Sequence, residues 1–190
     1  MKHQKIFKIY LRTTPRYLLP PKGERDKPSI DKDTAVIWWE KSSPEFISKV
    51  KKVKNKDLKV EAIGYIINKK DDIVFLSPSV VTPFETFQHV KVISRDNISK
   101  IEELKISPDK KAQVGDPVML EWKDPILSFD TGTMEELKGK CKIPLTFRLG
   151  FLISNSDKGI YTSSLSGKRK YYLENMVNPR KSIKAIHSLI

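Results

Sequence analysis

Alternating hydrophobic and polar positions divide the chain into short strand-like segments that are separated by polar turns. The first such segment has five closely spaced apolar or aromatic residues, which are Ile6, Phe7, Ile9, Tyr10 and Leu11. Their spacing predicts a β-strand. Several prolines and a glycine then interrupt regular structure. We therefore expect residues 1–35 to hold an N-terminal strand and a Pro-rich linker.

The pattern that follows occurs twice. Its first copy opens with residues 36–40 (VIWWE), which predict an apolar strand. Residues 42–45 (SSPE) then combine cap hydroxyls, a first-turn proline and a first-turn acid, which predicts a short helix to about Lys52. The second copy opens with residues 118–122 (VMLEW), and the capping box at 133–136 (TMEE) predicts its helix.

The central segments of the two copies align without a gap. Residues 62–79 (AIGYIINKKDDIVFLSPS) lie over residues 148–165 (RLGFLISNSDKGIYTSSL), and Gly64 falls on Gly150. Apolar runs on both sides of a polar turn predict a β-hairpin in each copy. Further strands are predicted at 90–94 and 170–174, and short apolar endings at 97–104 and 181–189.

The shared order of these segments, repeated after about 85 residues, predicts a tandem duplication. We expect the first unit at residues 36–107, a linker at 108–117 and the second unit at 118–190.

The first copy resembles the small Sm-like β-barrel proteins of bacteriophages and other mobile elements. The resemblance rests on a tryptophan before a glycine-aromatic strand, an acidic turn and a closing I-x-x-I-E-E-L. The matching residues are Trp39, Gly64, Tyr65, Ile66, Ile67, Asp71, Asp72, Ile98, Ile101, Glu102, Glu103 and Leu104. The resemblance to these proteins covers residues 36–105 directly, and the second copy matches them through the internal repeat.

This resemblance implies a mainly β protein of two tandem small Sm-like or SH3-like β-barrels, each with a short N-terminal helix. In Sm proteins the loops and open strand edges bind RNA or assemble into rings, so a homo-oligomer is among the expected states. The chain departs from the family's base-binding pocket. No asparagine follows Asp72, and the segment around Arg95 replaces the family's arginine-glycine pair.

The net charge indicates which class of partner the chain attracts. The 190 residues carry a formal net charge of +13, with a pI near 9.7, and a positive field attracts polyanions such as nucleic acids. No apolar run approaches the roughly 20 residues that span a bilayer, and the start is unlike a signal peptide. We expect a cytoplasmic protein without membrane contact. The single cysteine, Cys141, excludes an internal disulfide, and no cofactor is expected.

Catalytic motifs are weak. Residues 129–133 (FDTGT) resemble the aspartic-protease signature, but such enzymes need two aspartates, and Leu149-Gly150 comes too soon for the downstream segment of that fold. His3, His89 and His187 lack the spacing of a helix-borne metal site. We therefore expect a protein that is not an enzyme.

Basic clusters are the better candidates for a site. They would contact phosphates, while neighbouring tyrosines would stack on bases. The candidate residues are Lys49, Lys51, Lys52, Lys54, Lys56, Arg95, Lys168, Arg169, Lys170, Tyr171 and Arg180.

Two functions from different classes follow from these observations. The first is a non-enzymatic protein that binds nucleic acid or a nucleotide through basic loops. The alternative is a protein-interaction module, such as a phage or plasmid inhibitor or adaptor of a host protein, which recruits its partner by strand addition. An aspartic-type hydrolase is a distant third.

Overall fold

The structure is a computed structural model that describes residues 4–24, 29–52, 60–82, 85–123, 145–167 and 171–190. The protein is mainly β, as expected, and every described strand pairing is antiparallel. The strands are β1 (Ile6–Leu11), β2 (Arg16–Tyr17), β3 (Val60–Lys70), β4 (Ile73–Ser77), β5 (Ser79–Thr82), β6 (Thr86–Gln88), β7 (Lys91–Ser94), β8 (Ile98–Leu104), β9 (Ile106–Ser107), β10 (Pro117–Lys123), β11 (Leu145–Asn155), β12 (Gly159–Gly167), β13 (Tyr171–Pro179) and β14 (Ile183–Leu189). The helices are α1 (Lys32–Glu40), α2 (Pro44–Lys51) and two one-turn 3-10 helices, Arg95–Asn97 and Arg180–Ser182.

Helix α2 forms as its capping sequence predicts. The Ser43 hydroxyl accepts the N–H of Phe46 at 3.2 Å, and Pro44 occupies the first turn, where no backbone donor is needed. The helix ends at Lys51, one residue before the predicted end. Neither α-helix is long and apolar enough to cross a membrane, as judged over the described residues.

The predicted strand at residues 36–40 is wrong, because these residues belong to α1. Asp31 caps this helix by accepting the N–H of Thr34 at 2.7 Å. The buried residues Ala35, Trp38 and Trp39 recur at the helical spacing of three and four. Five apolar residues are too few to separate a period of two from one of 3.6.

The sheet contains two similar groups of strands, which we call the first half (β1 to β8) and the second half (β10 to β14). In the first half β1 lies between β3 and β8, and in the second half β10 lies between β11 and β14. The predicted hairpins are confirmed as β3–β4 and β11–β12. The strands predicted at the start of the chain, at 118–122, at 90–94 and at 170–174 are confirmed as β1, β10, β7 and β13. The two apolar endings form β8 and β14.

The strand registers of the two halves coincide. Phe7 lies opposite Gly64, and Val118 lies opposite Gly150. The register of β3–β4 shifts just after Ile66, and that of β11–β12 shifts at the aligned residue of the second half. The first strand of each half also shifts against its closing strand, after Tyr10 in β1 and at the matching place in β10.

Each half supplies a strand edge to the other. Strand β5 pairs with the start of β11, where Ser79 lies opposite Arg148. The end of β12 pairs with the start of β3, where Leu165 lies opposite Ala62. In the alignment of the two halves these pairings exchange places, so they are reciprocal. The described strands consequently form one hydrogen-bonded sheet instead of two separate ones.

The largest hydrophobic core also spans both halves. It joins the α1 tryptophans to residues of the first half such as Ile63 and Phe75, and to residues of the second half such as Met119 and Phe151. A second cluster joins first-half residues to Leu165 of the second half, and a third lies among strands of the second half. The burial of apolar surface therefore stabilises the two halves together.

Candidate functional site

A groove with a volume of about 510 Å³ lies in the first half, between α2, β7 and the segment that joins β1 to β2. We call it the basic groove. The residues that line it are Arg12, Thr13, Thr14, Pro15, Arg16, Lys49, Val50, Lys52, Val92, Ser94 and Asn97. It contains four cationic side chains, and no described acid or aromatic ring is among its lining residues.

The shape of the groove depends on Asn97, which holds the segment after β1 in place. The side-chain oxygen of Asn97 accepts the N–H of Thr13 at 2.7 Å, and its amide donates to the Thr13 carbonyl at 3.1 Å. Its own carbonyl accepts the N–H of Arg12 at 2.9 Å. Asn97 is almost fully buried. These three bonds hold the backbone of Arg12 and Thr13, and so fix where the Arg12 side chain enters the lining of the groove.

The cations of the groove differ in their partners. Lys49 pairs with Glu45 at 2.5 Å, one helical turn away, and this hydrogen bond and charge lower the pKa of Glu45. Within the described part of the chain, Arg12, Arg16 and Lys52 have no ion-pair partner. All four cations are exposed. Three of the four groove cations are therefore left without a described acidic partner, and positive charge accumulates here.

Elsewhere, many described lysines are neutralised by acids. The pairs are Lys5–Glu103, Lys8–Glu102, Lys51–Asp72, Lys70–Glu40, Lys100–Glu102, Lys110–Asp116 and Lys184–Glu121. Solvated pairs of this kind contribute little to stability, but each cancels a charge locally.

The structure brings together some of the predicted site residues. Lys49 and Lys52 line the basic groove, whereas Lys51 lies on the other side of α2 and pairs with Asp72 at 3.2 Å. Arg95 is exposed at the start of the first 3-10 helix, and its backbone N–H donates to the Asp72 carbonyl at 2.7 Å. Arg12 and Arg16 were missed, although the sequence R-T-T-P-R places two arginines around a turn.

The remaining predicted residues are separate from the groove or undescribed. Arg180 opens the second 3-10 helix, as Arg95 opens the first, and its guanidinium donates to the Asn155 side chain at 3.0 Å. Five predicted cations lie outside the described residues, as do the capping box at 133–136, the FDTGT motif and Cys141; these cations are Lys54, Lys56, Lys168, Arg169 and Lys170. Tyr171 begins β13, but its side chain is likewise outside the description.

A second polar cluster lies behind the groove, where the two halves meet. Lys91 of β7 is fully buried, and its ammonium lies 2.5 Å from a carboxylate oxygen of Glu174 in β13 and 2.7 Å from the Ser164 hydroxyl in β12. Ser164 donates to the same carboxylate at 2.5 Å. The Lys91 ammonium also lies 5.6 Å from the centre of the Tyr17 ring. Burial lowers the pKa of Lys91, and the Glu174 carboxylate opposes that effect.

Tyr17 and His89 complete this cluster. Burial raises the pKa of the Tyr17 hydroxyl, and its interaction with Glu174 raises it further. Burial lowers the pKa of His89, and the positive charges of Arg148 and Lys91 add to that effect. The rings of Tyr17 and His89 meet edge to face with their centres 6.4 Å apart.

The other described histidine, His187, lies 2.9 Å from the carboxylate of Glu121. Among the described residues, no group of three or more His, Cys, Asp or Glu side chains is arranged to hold a metal ion.

No protein-family model, curated protein or solved structure matches this chain.

Proposed function

We propose that the chain is a non-enzymatic nucleic-acid-binding protein that holds backbone phosphates in the basic groove. One observation carries the proposal: Arg12, Arg16 and Lys52, which have no described ion-pair partner, converge with Lys49 on a single concave surface. Guanidinium groups suit phosphate because their planar donors match its oxygens. The net charge of +13 draws a polyanion towards this surface.

The composition of the groove favours contact with the nucleic-acid backbone over the reading of bases. Its described lining offers cations, hydroxyls and backbone but no aromatic ring on which a base would stack. Binding is therefore expected to depend weakly on sequence and steeply on salt. For four phosphate contacts, the slope of log K against log salt is expected to be about −3 to −4.

We further propose that the two halves are copies of one small Sm-like barrel. The coincident registers at Gly64 and Gly150 support a common unit. In each half a one-turn 3-10 helix precedes the closing strand, which pairs with the first strand. The phage or mobile-element origin and the tendency to form rings remain part of this proposal.

The test is a titration of labelled single-stranded RNA and DNA of about 12 nucleotides, followed by fluorescence anisotropy at several salt concentrations. We expect the double variant Arg12→Gln/Arg16→Gln to bind more weakly and to reduce the magnitude of the salt slope by about 1.5. The matched control, Lys105→Gln/Lys158→Gln, removes two exposed charges outside the groove. It should retain most of the affinity.

Equal losses in both double variants would show that net charge, rather than the groove, drives binding. Absence of binding by the wild-type protein would overturn the proposal. A stoichiometric protein recovered after nuclease treatment would then favour the alternative, a protein-interaction module that acts on a host factor.

A further inference from the structure

The basic groove and the buried cluster lie on opposite faces of the strand pair formed by β2 and β7. Arg16 and Tyr17 are neighbours in β2, so their side chains point to opposite faces. Arg16 lies opposite Val92 of β7, and both line the groove. Tyr17 lies opposite Lys91, and both face the cluster. The position of Arg16 therefore depends on what holds Tyr17 and Lys91.

Strand β2 has little of its own to hold it. It pairs with β7 through only two residues, and the next residue adds one backbone hydrogen bond, from the Leu18 N–H to the Val90 carbonyl at 2.8 Å. So short a pairing contributes little by itself. The side chain of Tyr17, which interacts with Glu174 and covers the Lys91 ammonium, adds an attachment to the second half.

Glu174 is the centre of that attachment, and it belongs to the other half. Its carboxylate accepts hydrogen bonds from the Lys91 ammonium and from the Ser164 hydroxyl, each at 2.5 Å. The Lys91 side chain is 1% exposed, so it has no access to water that would replace this partner. Glu174 also has a φ of +60°, a conformation that a residue with a side chain keeps only when its surroundings require it.

We propose that Glu174 is a positioning residue for anion binding, which rests on the function proposed above. Through Lys91 and Tyr17 it holds β2 and β7 in the arrangement that presents Arg16 to a phosphate. The second half thus sets the geometry of a groove whose lining belongs to the first half.

The effect of removing the charge distinguishes positioning from simple electrostatics. Glu174→Gln removes one negative charge, so electrostatics alone would strengthen binding to a polyanion, or leave it unchanged where the buried Lys91 loses its proton together with its partner. Loss of positioning instead weakens binding, and we expect about fivefold at constant salt. Glu121→Gln is the matched control, because Glu121 also lies in a strand of the second half, and the two side chains are 19% and 20% exposed. This control should bind as tightly as the wild type or more tightly.

Two further variants separate positioning from loss of folding. Tyr17→Phe removes the hydroxyl that interacts with Glu174 without changing the net charge, and it should weaken binding about twofold. Lys91→Met/Glu174→Leu replaces the buried ion pair with apolar side chains, which keeps β7 packed. Affinity in this variant should return to within about twofold of the wild type.

Hydrogen exchange at the Leu18 amide gives a readout that needs no ligand. We expect exchange to be about tenfold faster in Glu174→Gln than in the wild type, and to be slow again in the double replacement. Wild-type protein that binds neither oligonucleotide overturns both proposals. Wild-type protein that binds, with Glu174→Gln equal or tighter, or with Leu18 exchange unchanged, overturns the positioning role alone.

Discussion

Ser77 and Ser163 form the same hydrogen bonds in the two halves. The Ser77 hydroxyl lies 2.8 Å from the carbonyl of Ser79 and 2.5 Å from that of Gln88, and it accepts the Ser79 N–H at 3.2 Å. Ser163 contacts the carbonyls of Leu165 and Leu173 and accepts the Leu165 N–H at 3.3 Å. Both serines are fully buried. Each hydroxyl satisfies backbone groups where the chain changes its pairing partner, between β4 and β5 in the first half and within β12 in the second half.

Replacement of either serine by alanine should therefore have the same cost. Ser77→Ala and Ser163→Ala each leave buried backbone groups without a partner, and we expect each to lower the free energy of unfolding by about 1–3 kcal/mol. Urea denaturation measures both. Ser99→Ala, which removes an exposed hydroxyl bonded to the Tyr10 carbonyl, is the control and should cost under about 0.5 kcal/mol. A loss confined to one half would argue against a common unit.

Gly64 should not tolerate a side chain, although its backbone conformation is ordinary. A Cβ at this position would lie 2.7 Å from both the Ser77 carbonyl oxygen and the Leu76 Cγ, and the carbonyl belongs to a paired strand that cannot move alone. We expect Gly64→Ala to lower the free energy of unfolding by about 1–3 kcal/mol. Gly150→Ala should act likewise, since its Cβ would lie 2.9 Å from the Thr162 Cβ.

Thermal and urea denaturation test both glycine substitutions. Gly23→Ala provides a comparison in which the added methyl meets no atom within 4 Å and only the positive φ is unfavourable. If Gly64→Ala and Gly150→Ala were neutral, the close approach of the strands would be contradicted.

The matching glycines also show what the sequence could reveal. Gly64 and Gly150, the hairpins around them and the cap at Ser43 were predicted because each depends on residues close together in the chain. The helical state of residues 36–40 was missed because it depends on a tertiary surface that buries Trp38 and Trp39. The reciprocal pairing between the halves could not be predicted either, because it joins residues that are distant in sequence and depends on tertiary packing.

The site was predictable only in part, for the same reason. Lys49 and Lys52 belong to an obvious lysine-rich stretch. Arg12 and Arg16 join them because Asn97, far along the chain, holds the segment between the two arginines. No pattern in the local sequence predicts a hydrogen bond between residues so far apart in the chain.

Asn97 should consequently affect both stability and binding. Asn97→Ala removes the partners of the Thr13 N–H and carbonyl, so we expect a loss of about 1–3 kcal/mol in the free energy of unfolding and weaker oligonucleotide binding. Asn97→Asp keeps the acceptor but adds a negative charge to the groove, and it should weaken binding further. Anisotropy titrations at constant salt measure the difference. Asn175→Ala, at an exposed position of β13, should leave affinity unchanged.

The depressed pKa of His89 predicts a dependence of stability on pH. Burial and the neighbouring charges of Arg148 and Lys91 hold this pKa below about 6.5, the ordinary value that the unfolded chain would have. As the pH falls below that value, the unfolded state takes up a proton that the folded state resists. The contribution of His89 to stability is therefore present above about pH 6.5 and decreases as the pH falls towards the folded pKa.

His89→Asn tests this dependence, because asparagine tolerates the φ of +54° at this position. We expect the free energy of unfolding of the wild type to fall more steeply between about pH 7.5 and 5.5 than that of the variant. Parallel curves would contradict the assignment.

The reciprocal pairing of the halves has a consequence for synthesis on the ribosome. The edge of β3 at residues 60–62 is paired by residues 165–167 of β12, which are translated about 100 residues later. At about 5–20 residues per second, this edge stays unpaired for about 5–20 seconds. During that time the nascent first half presents an unpaired strand edge. Translation that stops before β12 leaves this edge permanently open, so truncated products should aggregate or require chaperones, whereas the completed chain closes the edge with its own second half.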